Sequence, residues 1–502
     1  MKRHLILVLF LLSFYKPLAQ ETVPQDALRL AVENLTGSAR FRAMSGAFGA
    51  LGGDLSALNV NPAGSNYFNY NFVSITGTLL STKNNSNYFG TNTSDSNTRF
   101  TLNQFGTAFV FYNADRRSDW GKFTYAINYE NTNCFNNSIY SAGTNPRNSI
   151  GDYFLNFAQG IPLRVITDNK YYDLNFNEQQ AFLGYNTYIL DSKTGDPRDT
   201  EYFSNVPSGG NYFQQNRIYN SGYNGKLVSN FSTSYRDIIS FGFNLNLNFV
   251  NIRKSFTVTE SNSNPINDNG STIDYIRFDN ELYTSGDGIS LNVGTIIKPI
   301  KNFRVGIAYE SPTWYRLTDE ITQGVRTHSI NNPDGNSNPR SYQYPILYLP
   351  YGVNTPGKWT GSLAYIFGNK GLLSFDVSSK NYSNTIFKPR HEDIYSDLNA
   401  YMKTNLKNAL TYRVGTEYKI KQVSLRAGYR FEESPYKNKS NFGDLIGFSG
   451  GIGFSFGPDR LDFAYSHDSR KMSQEFLSSG MTDTARISSY RNDFSLTYCV
   501  NF

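Results

Sequence analysis

Several stretches of the 502-residue chain alternate apolar and polar side chains with period two. Leu410, Tyr412, Val414 and Tyr418 interleave with Thr411, Arg413, Gly415, Glu417 and Lys419. Val423, Leu425, Ala427, Tyr429 and Phe431 interleave with Ser424, Arg426, Gly428, Arg430 and Glu432. Phe303 to Glu310 and Asp493 to Phe502 behave the same way. Neighbouring side chains on a strand point to opposite faces, so each stretch predicts a strand with one apolar and one polar face. Fourteen strands are predicted, centred near residues 75, 106, 126, 231, 247, 292, 307, 362, 376, 414, 427, 451, 464 and 496.

A soluble sandwich would show the same alternation; the connections separate the two. Short turns are predicted at 114–119, 236–237, 299–302, 368–371, 420–422 and 457–459. Long loops are predicted at about 83–99, 134–226, 258–285, 313–357, 382–409, 432–445 and 469–490. Strict alternation of short and long connections belongs to an up-and-down membrane barrel with short periplasmic turns and long external loops. Lipid offers backbone groups no partner, so such a sheet must close on itself. An outward Arg at mid-bilayer would cost ~2–4 kcal/mol. Arg413, Glu417, Arg426, Arg430, Asp376 and Asp462 are therefore expected to face the lumen and pair there. An even strand number places both chain ends on the periplasmic side. The terminal Phe502, on the apolar face of the last strand, resembles the signal read by the barrel assembly machinery.

Composition agrees with a barrel in outer-membrane lipid. Phe 38, Tyr 37 and Trp 3 make aromatics 16% of a chain whose mean hydropathy is polar. Lys2 and Arg3 followed by the apolar run Leu5 to Leu12 read as a secretory signal, with Ala19 before the cleavage site. No apolar run is long enough for a membrane-spanning helix, which needs ~20 residues. The net charge of +6 is spread along the chain, and with export this argues against a nucleic-acid partner. Cys134 and Cys499 are read as unpaired.

Residues before the first strand do not alternate. Leu28, Ala31, Val32 and Leu35 have helical spacing. Gly46, Gly49, Gly52 and Gly53 follow, then Asp54 as the N-cap of a short helical turn, and Asn61-Pro62-Ala63-Gly64 closes the segment. Fourteen strands enclose more space than their own side chains fill, and a compact glycine-rich segment suits the role of a plug. Backbone movement is expected at the glycines from Gly46 to Gly53. The organisation expected is a signal peptide over 1–19, a plug or hatch over 20–66, and a closed antiparallel transmembrane β-barrel over 67–502, an all-β fold. The largest loop, 134–226, is expected to carry a short amphipathic helix with Phe154, Phe157 and Ala158 behind Asp152 as N-cap.

Candidate chemistry is sparse. Gly447-Phe448-Ser449-Gly450-Gly451 fits a nucleophile elbow literally but lies in a β stretch, where that motif does not work. His328, His391 and His467 lack metal-ligand spacing. His467 and Asp468 are strand neighbours and point to opposite faces. No catalytic residue, metal or cofactor is expected.

The stretch Gly37-Ser38-Ala39-Arg40, Ser45-Gly46-Ala47, Asp54 and Asn61-Pro62-Ala63 resembles the hatch signature of the FadL/TodX family. Gly286 to Pro312, Thr355-Pro356 through Asp376 with Tyr382, and Arg413 to Tyr418 followed by Leu425 to Tyr429 resemble further family blocks, in order. The resemblance is weakest over 83–226. It implies a fourteen-stranded plugged barrel that passively imports long-chain fatty acids or other hydrophobic small molecules, with lateral release at a kink in the third strand. No Pro or Gly kink stands out between Trp120 and Asn133, and the family's ligand contacts cannot be matched onto this chain. Burying ~10 methylenes at ~0.8 kcal/mol each would give ~8 kcal/mol, roughly micromolar affinity before ordering costs, with no ionic anchor required. Some barrels resembling this family serve type IX protein secretion, which implies secretion-system proteins as alternative partners. A surface enzyme is the remaining alternative.

Overall fold

The computed structural model describes residues 24–115, 117–267, 271–331, 340–341 and 345–502. The signal stretch 1–19 lies outside the described residues. The wall is a closed antiparallel barrel of fourteen strands. They are β1 Phe72–Tyr88, β2 Thr91–Tyr112, β3 Trp120–Cys134, β4 Tyr212–Tyr235 and β5 Ile239–Asn262. Next come β6 Ile273–Ile300, β7 Phe303–Glu310, β8 Lys358–Phe367, β9 Gly371–Asn381 and β10 Asn408–Ile420. The last four are β11 Val423–Glu432, β12 Phe442–Phe456, β13 Asp459–Glu475 and β14 Thr484–Asn501. Each pairs with its chain neighbour, and β1 closes the ring on β14 from Phe72↔Asn501 to Asn87↔Arg486. The Phe502 N–H donates to Asn71 O at 2.9 Å, so the first and last strands meet at the short-turn end.

Strand β5 shows why the barrel stands in lipid. Phe241, Phe243, Leu245, Leu247 and Phe249 are exposed outward, whereas Asn244, Asn246 and Asn248 are buried inward. This is the reverse of a soluble sandwich. Four of the six expected inward charges form ion pairs, Arg426 with Glu417 at 2.6 Å and with Asp462 at 2.6 Å and Arg430 with Asp468 at 2.8 Å, whereas Asp376 accepts the Gly49 N–H at 2.9 Å. Arg413 lines the lumen as well.

The strands run beyond the predicted ones. About 10 residues cross a bilayer, but β4 and β5 have 24 residues each and β6 has 28. The expected loop at 83–99 is therefore mostly strand, with β1 and β2 joined by Phe89-Gly90, where Gly90 has φ +85°. The loops expected at 258–285 and 469–490 shorten similarly. The strand Trp314–Ser329 continues the wall above β7, pairing with β6 from Trp314↔Ile289 upward. These upper segments meet water outside, so their sequence shows no apolar face.

The expected loop 134–226 is an ordered roof. Strand Asn137–Asn145 pairs with β4, and helices Ile150–Ala158 and Phe176–Asn186 pack with Tyr88, Phe278 and Phe476 in one apolar cluster. The first helix starts at Ile150, not behind Asp152. Its N-cap is Ser149, whose Oγ accepts the Gly151 N–H at 3.0 Å, while the Asp152 carboxylate accepts the Ser149 N–H at 2.9 Å. Asp152 is thus the reciprocal member of a capping box.

Candidate functional site: a lumenal segment between two cavities

The chain from Pro24 to Phe68 threads the lumen. It begins as α1, Pro24–Ala31, among mid-wall residues such as Val250, Ile252 and Leu317. Residues 32–36 have no regular secondary structure, and the chain bends at Gly37, φ +93°. The chain then reaches α2, Ala39–Ala43, and two short 3-10 turns, Leu55–Asn59 and Pro62–Tyr67, near the short-turn end. Helix α1 stops at Ala31, so Val32 and Leu35 lie past it.

The motif residues assemble the lower part of this segment. Asp54 caps its turn by accepting the Ser56 N–H at 2.9 Å, and its other oxygen accepts the Ser38 hydroxyl at 2.7 Å. Asn61 accepts the Ala63 N–H at 3.1 Å and donates to Gly49 O at 2.7 Å. Pro62 O accepts the Asn230 amide at 2.9 Å. Gly53 N–H donates to Gly64 O at 3.0 Å, and a Cβ on Gly52 would lie 2.4 Å from that oxygen. Gly46, at φ +76°, packs on Phe41 and Leu35.

Wall glycines admit this fold. A Cβ on Gly242 would lie 2.2 Å from Pro62 C, one on Gly306 2.3 Å from Gly49 O, and one on Gly428 2.5 Å from Met44 C. Polar wall groups complete the joint. Arg42 pairs with Asp493, both fully buried. Arg40 pairs with Glu417 at 3.0 Å, and the Gly49 N–H donates to Asp376 at 2.9 Å. Ser449 of the literal elbow motif accepts the Ser45 N–H at 3.0 Å and donates to Ala43 O at 3.0 Å, an anchoring role. His467 meets Asn492 at 2.8 Å rather than Asp468.

The upper part is held differently, by wall side chains on two opposite sides that bond both its side chains and its backbone, as Lys380 bonds Ala31 O at 2.8 Å. Glu33 contacts Lys358 of β8 at 2.7 Å and Lys380 of β9 at 3.2 Å. Burial would raise the Glu33 carboxyl, but Lys358, Lys380 and Lys226 outweigh it and hold it well below the usual carboxylate range. Across the lumen, Asn34 bonds Asn133, Thr36 donates to Glu130 at 2.8 Å, and the Gly37 N–H donates to Asn103 at 3.0 Å.

Those second partners border a break in the wall. Strands β2 and β3 pair only from Gln104↔Glu130 to Tyr112↔Lys122. Above it, Thr91–Asn103 has a ladder with β1 but none, among the described residues, on its other edge. Strand β3 shifts register between Asn131 and Asn133, and its continuation stays with β4. Exposed Phe100 and Leu102 flank the break, so its lower end lies level with the apolar belt.

A cavity of about 690 Å³ occupies the upper lumen beneath the roof. Leu28 and Val32 form part of its floor, and Phe256, Leu282, Phe442 and Phe476 are among its apolar walls. Arg470 and Arg491 also line it, and so do Asn133 to Asn137 beside the break. A second cavity of about 790 Å³ opens at the short-turn end, lined by Gly52, Gly53, Lys298, Arg304, Lys419, Lys421 and Arg460. Arg40, Gly52 and Gly53 are the motif residues that line a cavity, and it is this lower, basic one. The lining of the upper cavity was not legible in advance, apart from Leu28 and Val32, whose helical spacing marked them. The isolated Phe476-Leu477 pair in a polar stretch was the remaining signal.

Barrel, lumenal segment, apolar cavity and wall break define a transport protein of the outer membrane. Residues 227–492 match the model of the family described as outer membrane protein transport protein (OMPP1/FadL/TodX). That is more than half of the 502 residues, and the chain belongs to this family. Solved structures agree in fold. A Pseudomonas aeruginosa FadL homologue superposes with TM-score 0.54 at 14% identity, covering 94% of this chain and 100% of that one. The Pseudomonas putida toluene transporter TodX gives TM-score 0.51 at 14% identity, covering 94% and 100%. No curated protein sequence matches the chain.

Proposed function

We propose that the protein takes up hydrophobic small molecules such as long-chain fatty acids passively, with residues 24–68 as its plug and the short-turn end in the periplasm. The observation that carries this reading is the roofed cavity of about 690 Å³, which meets the plug below and the wall break beside it. Its volume falls in the usual range for small-molecule sites, and its lining mixes aliphatic, aromatic and a few polar groups as such sites do. Aromatic hydrocarbons fit the same walls, and the basic Arg470 and Arg491 on the lining are paired with Glu432 at 3.3 Å and Asp493 at 2.8 Å. Ligand would enter under the roof, rest on Leu28 and Val32, and leave when residues 24–37 release the break. The test is mass spectrometry of lipophilic molecules co-purifying with the intact barrel and with Leu282→Trp, which fills the cavity. Enrichment on the parent protein and loss in the variant support uptake. An empty parent barrel that retains protein partners would instead support a secretion role.

A further inference from the structure

The cavity at the short-turn end carries an excess of positive charge. Arg40, Arg426 and Lys419 share the one carboxylate of its lining, Glu417, at 3.0, 2.6 and 3.8 Å. Arg426 and Arg460 share Asp462, behind the lining, at 2.6 and 2.7 Å. Lys298, Arg304 and Lys421 also line the cavity and form no ion pair among the described residues. Two further carboxylates stand near. Asp54 accepts the Ser38 hydroxyl and the Ser56 N–H, and Asp237 faces Lys298 and Lys122 but forms an ion pair with neither. Arg236 and Asp119 on the adjacent turns satisfy each other at 2.9 Å. Even with Lys122 and the terminal carboxylate of Phe502 counted, eight cations stand against five carboxylates.

The unpaired cations are held in place. Arg304 donates to Leu51 O at 2.7 Å, its guanidinium lies 4.0 Å from the centre of the Tyr67 ring, and its buried Nε has no hydrogen-bond partner. The Lys298 ammonium lies 5.8 Å from the same ring. They also form a row rather than a point. Lys298 and Arg304 flank the β6–β7 turn, and Lys421 is on the β10–β11 turn. The three strand spacings from β7 to β10 make about 14 Å along the wall. A small anion meets one end of that row, whereas an extended peptide, rising ~3.3 Å per residue, spans it with about four or five residues. The amides of Asn369 and Gln422 and the exposed ring of Tyr70 line the same mouth, and amides can both donate to and accept from a peptide backbone.

We infer that this vestibule is a docking site for an acidic, extended segment of a partner protein, whose carboxylates meet Lys298 and Arg304 at one end and Lys421 at the other. The uptake reading places the short-turn end in the periplasm, so the partner is a periplasmic protein. Clustered basic side chains are a recurring means of recognising acidic segments, and a basic cleft within low-dielectric walls raises the local concentration of such a segment. The site is separate from the upper cavity and shares no lining residue with it.

The experiment is fluorescence anisotropy of labelled octaglutamate and octaglutamine with the full chain in a non-ionic detergent. Octaglutamate should bind, more weakly as salt is added, and octaglutamine should not. Lys298→Gln combined with Lys421→Gln removes two cations that have no ion pair to lose. It should weaken octaglutamate binding about tenfold, the worth of two exposed ion pairs. Lys83→Gln combined with Arg99→Gln removes the same charge from exposed positions on β1 and β2 outside the vestibule and should leave binding unchanged. No binding of octaglutamate, equal binding of the two peptides, or equal weakening by the two double variants would overturn the docking site. Displacement of the peptide by inorganic phosphate, but not by chloride at equal ionic strength, would overturn it in favour of a small-anion site. Each of these failures leaves the uptake reading standing, because that reading rests on the upper cavity.

Discussion

The two halves of the lumenal segment are built on opposite terms. Below Ser38, backbone lies against wall glycines, caps are satisfied, and Arg42 is locked onto Asp493 with both side chains buried. Above it, residues 29–37 cross open space and hold the walls through Glu33, Asn34 and Thr36. The lower half is packed tightly against the barrel wall. The upper half floors the cavity and is held by contacts a ligand can compete for. The uptake reading proposed above places movement in the upper half; the stretch from Gly46 to Gly53, where glycine content suggested movement, is close-packed against the wall. Those glycines serve close packing: a Cβ on Gly49 would fall 1.9 Å from Ser362 Oγ.

The sharpest way to break this contrast is to damage the lower half. Arg42→Ala removes one of the two guanidinium partners of buried Asp493, leaving Arg491 at 2.8 Å, and should cost about 1.5–3 kcal/mol, read from the denaturant midpoint of the folded barrel. Gly242→Ala drives a Cβ into the Pro62 backbone and should cost about 1–3 kcal/mol, with increased ion leak in planar bilayers. Asn61→Ala removes a cap and a bond to Gly49 O and should cost about 1 kcal/mol. The smallest effect belongs to the upper half. Because the folded Glu33 carboxyl is depressed, its contact contributes fully above the unfolded value of ~4.3 and is lost as pH falls through the lower folded value. The Glu33 contribution to protection of residues 29–37 from hydrogen exchange should accordingly be lost only in acid.

The strand centres were legible because lipid and lumen impose opposite side-chain classes, as Phe241 to Phe249 and Asn244 to Asn248 show, while their number, fourteen, is what the family resemblance implies. Where the outer face meets water that contrast vanishes, and Thr91 to Thr98 of β2 read as loop. The wall break left no mark either. It is an unmade backbone ladder beside a register shift at Asn131 and Asn133, with no Pro or Gly to announce it. The upper cavity draws its lining from residues as distant as Leu28 and Arg491, a proximity created by closure of the barrel. The motif residues, by contrast, were conspicuous because close packing restricts them to Gly, Asn, Pro and Asp, and they report architecture more than ligand contact.

Uptake by the proposed route requires the upper half of the lumenal segment to leave the wall break. The direct measurement is hexadecanoate uptake into proteoliposomes by a variant carrying Asn34→Cys and Asn133→Cys in a Cys134→Ser background, oxidised and then reduced. Uptake blocked by the cross-link and restored by reduction is the result expected. Equal uptake in both states would contradict it.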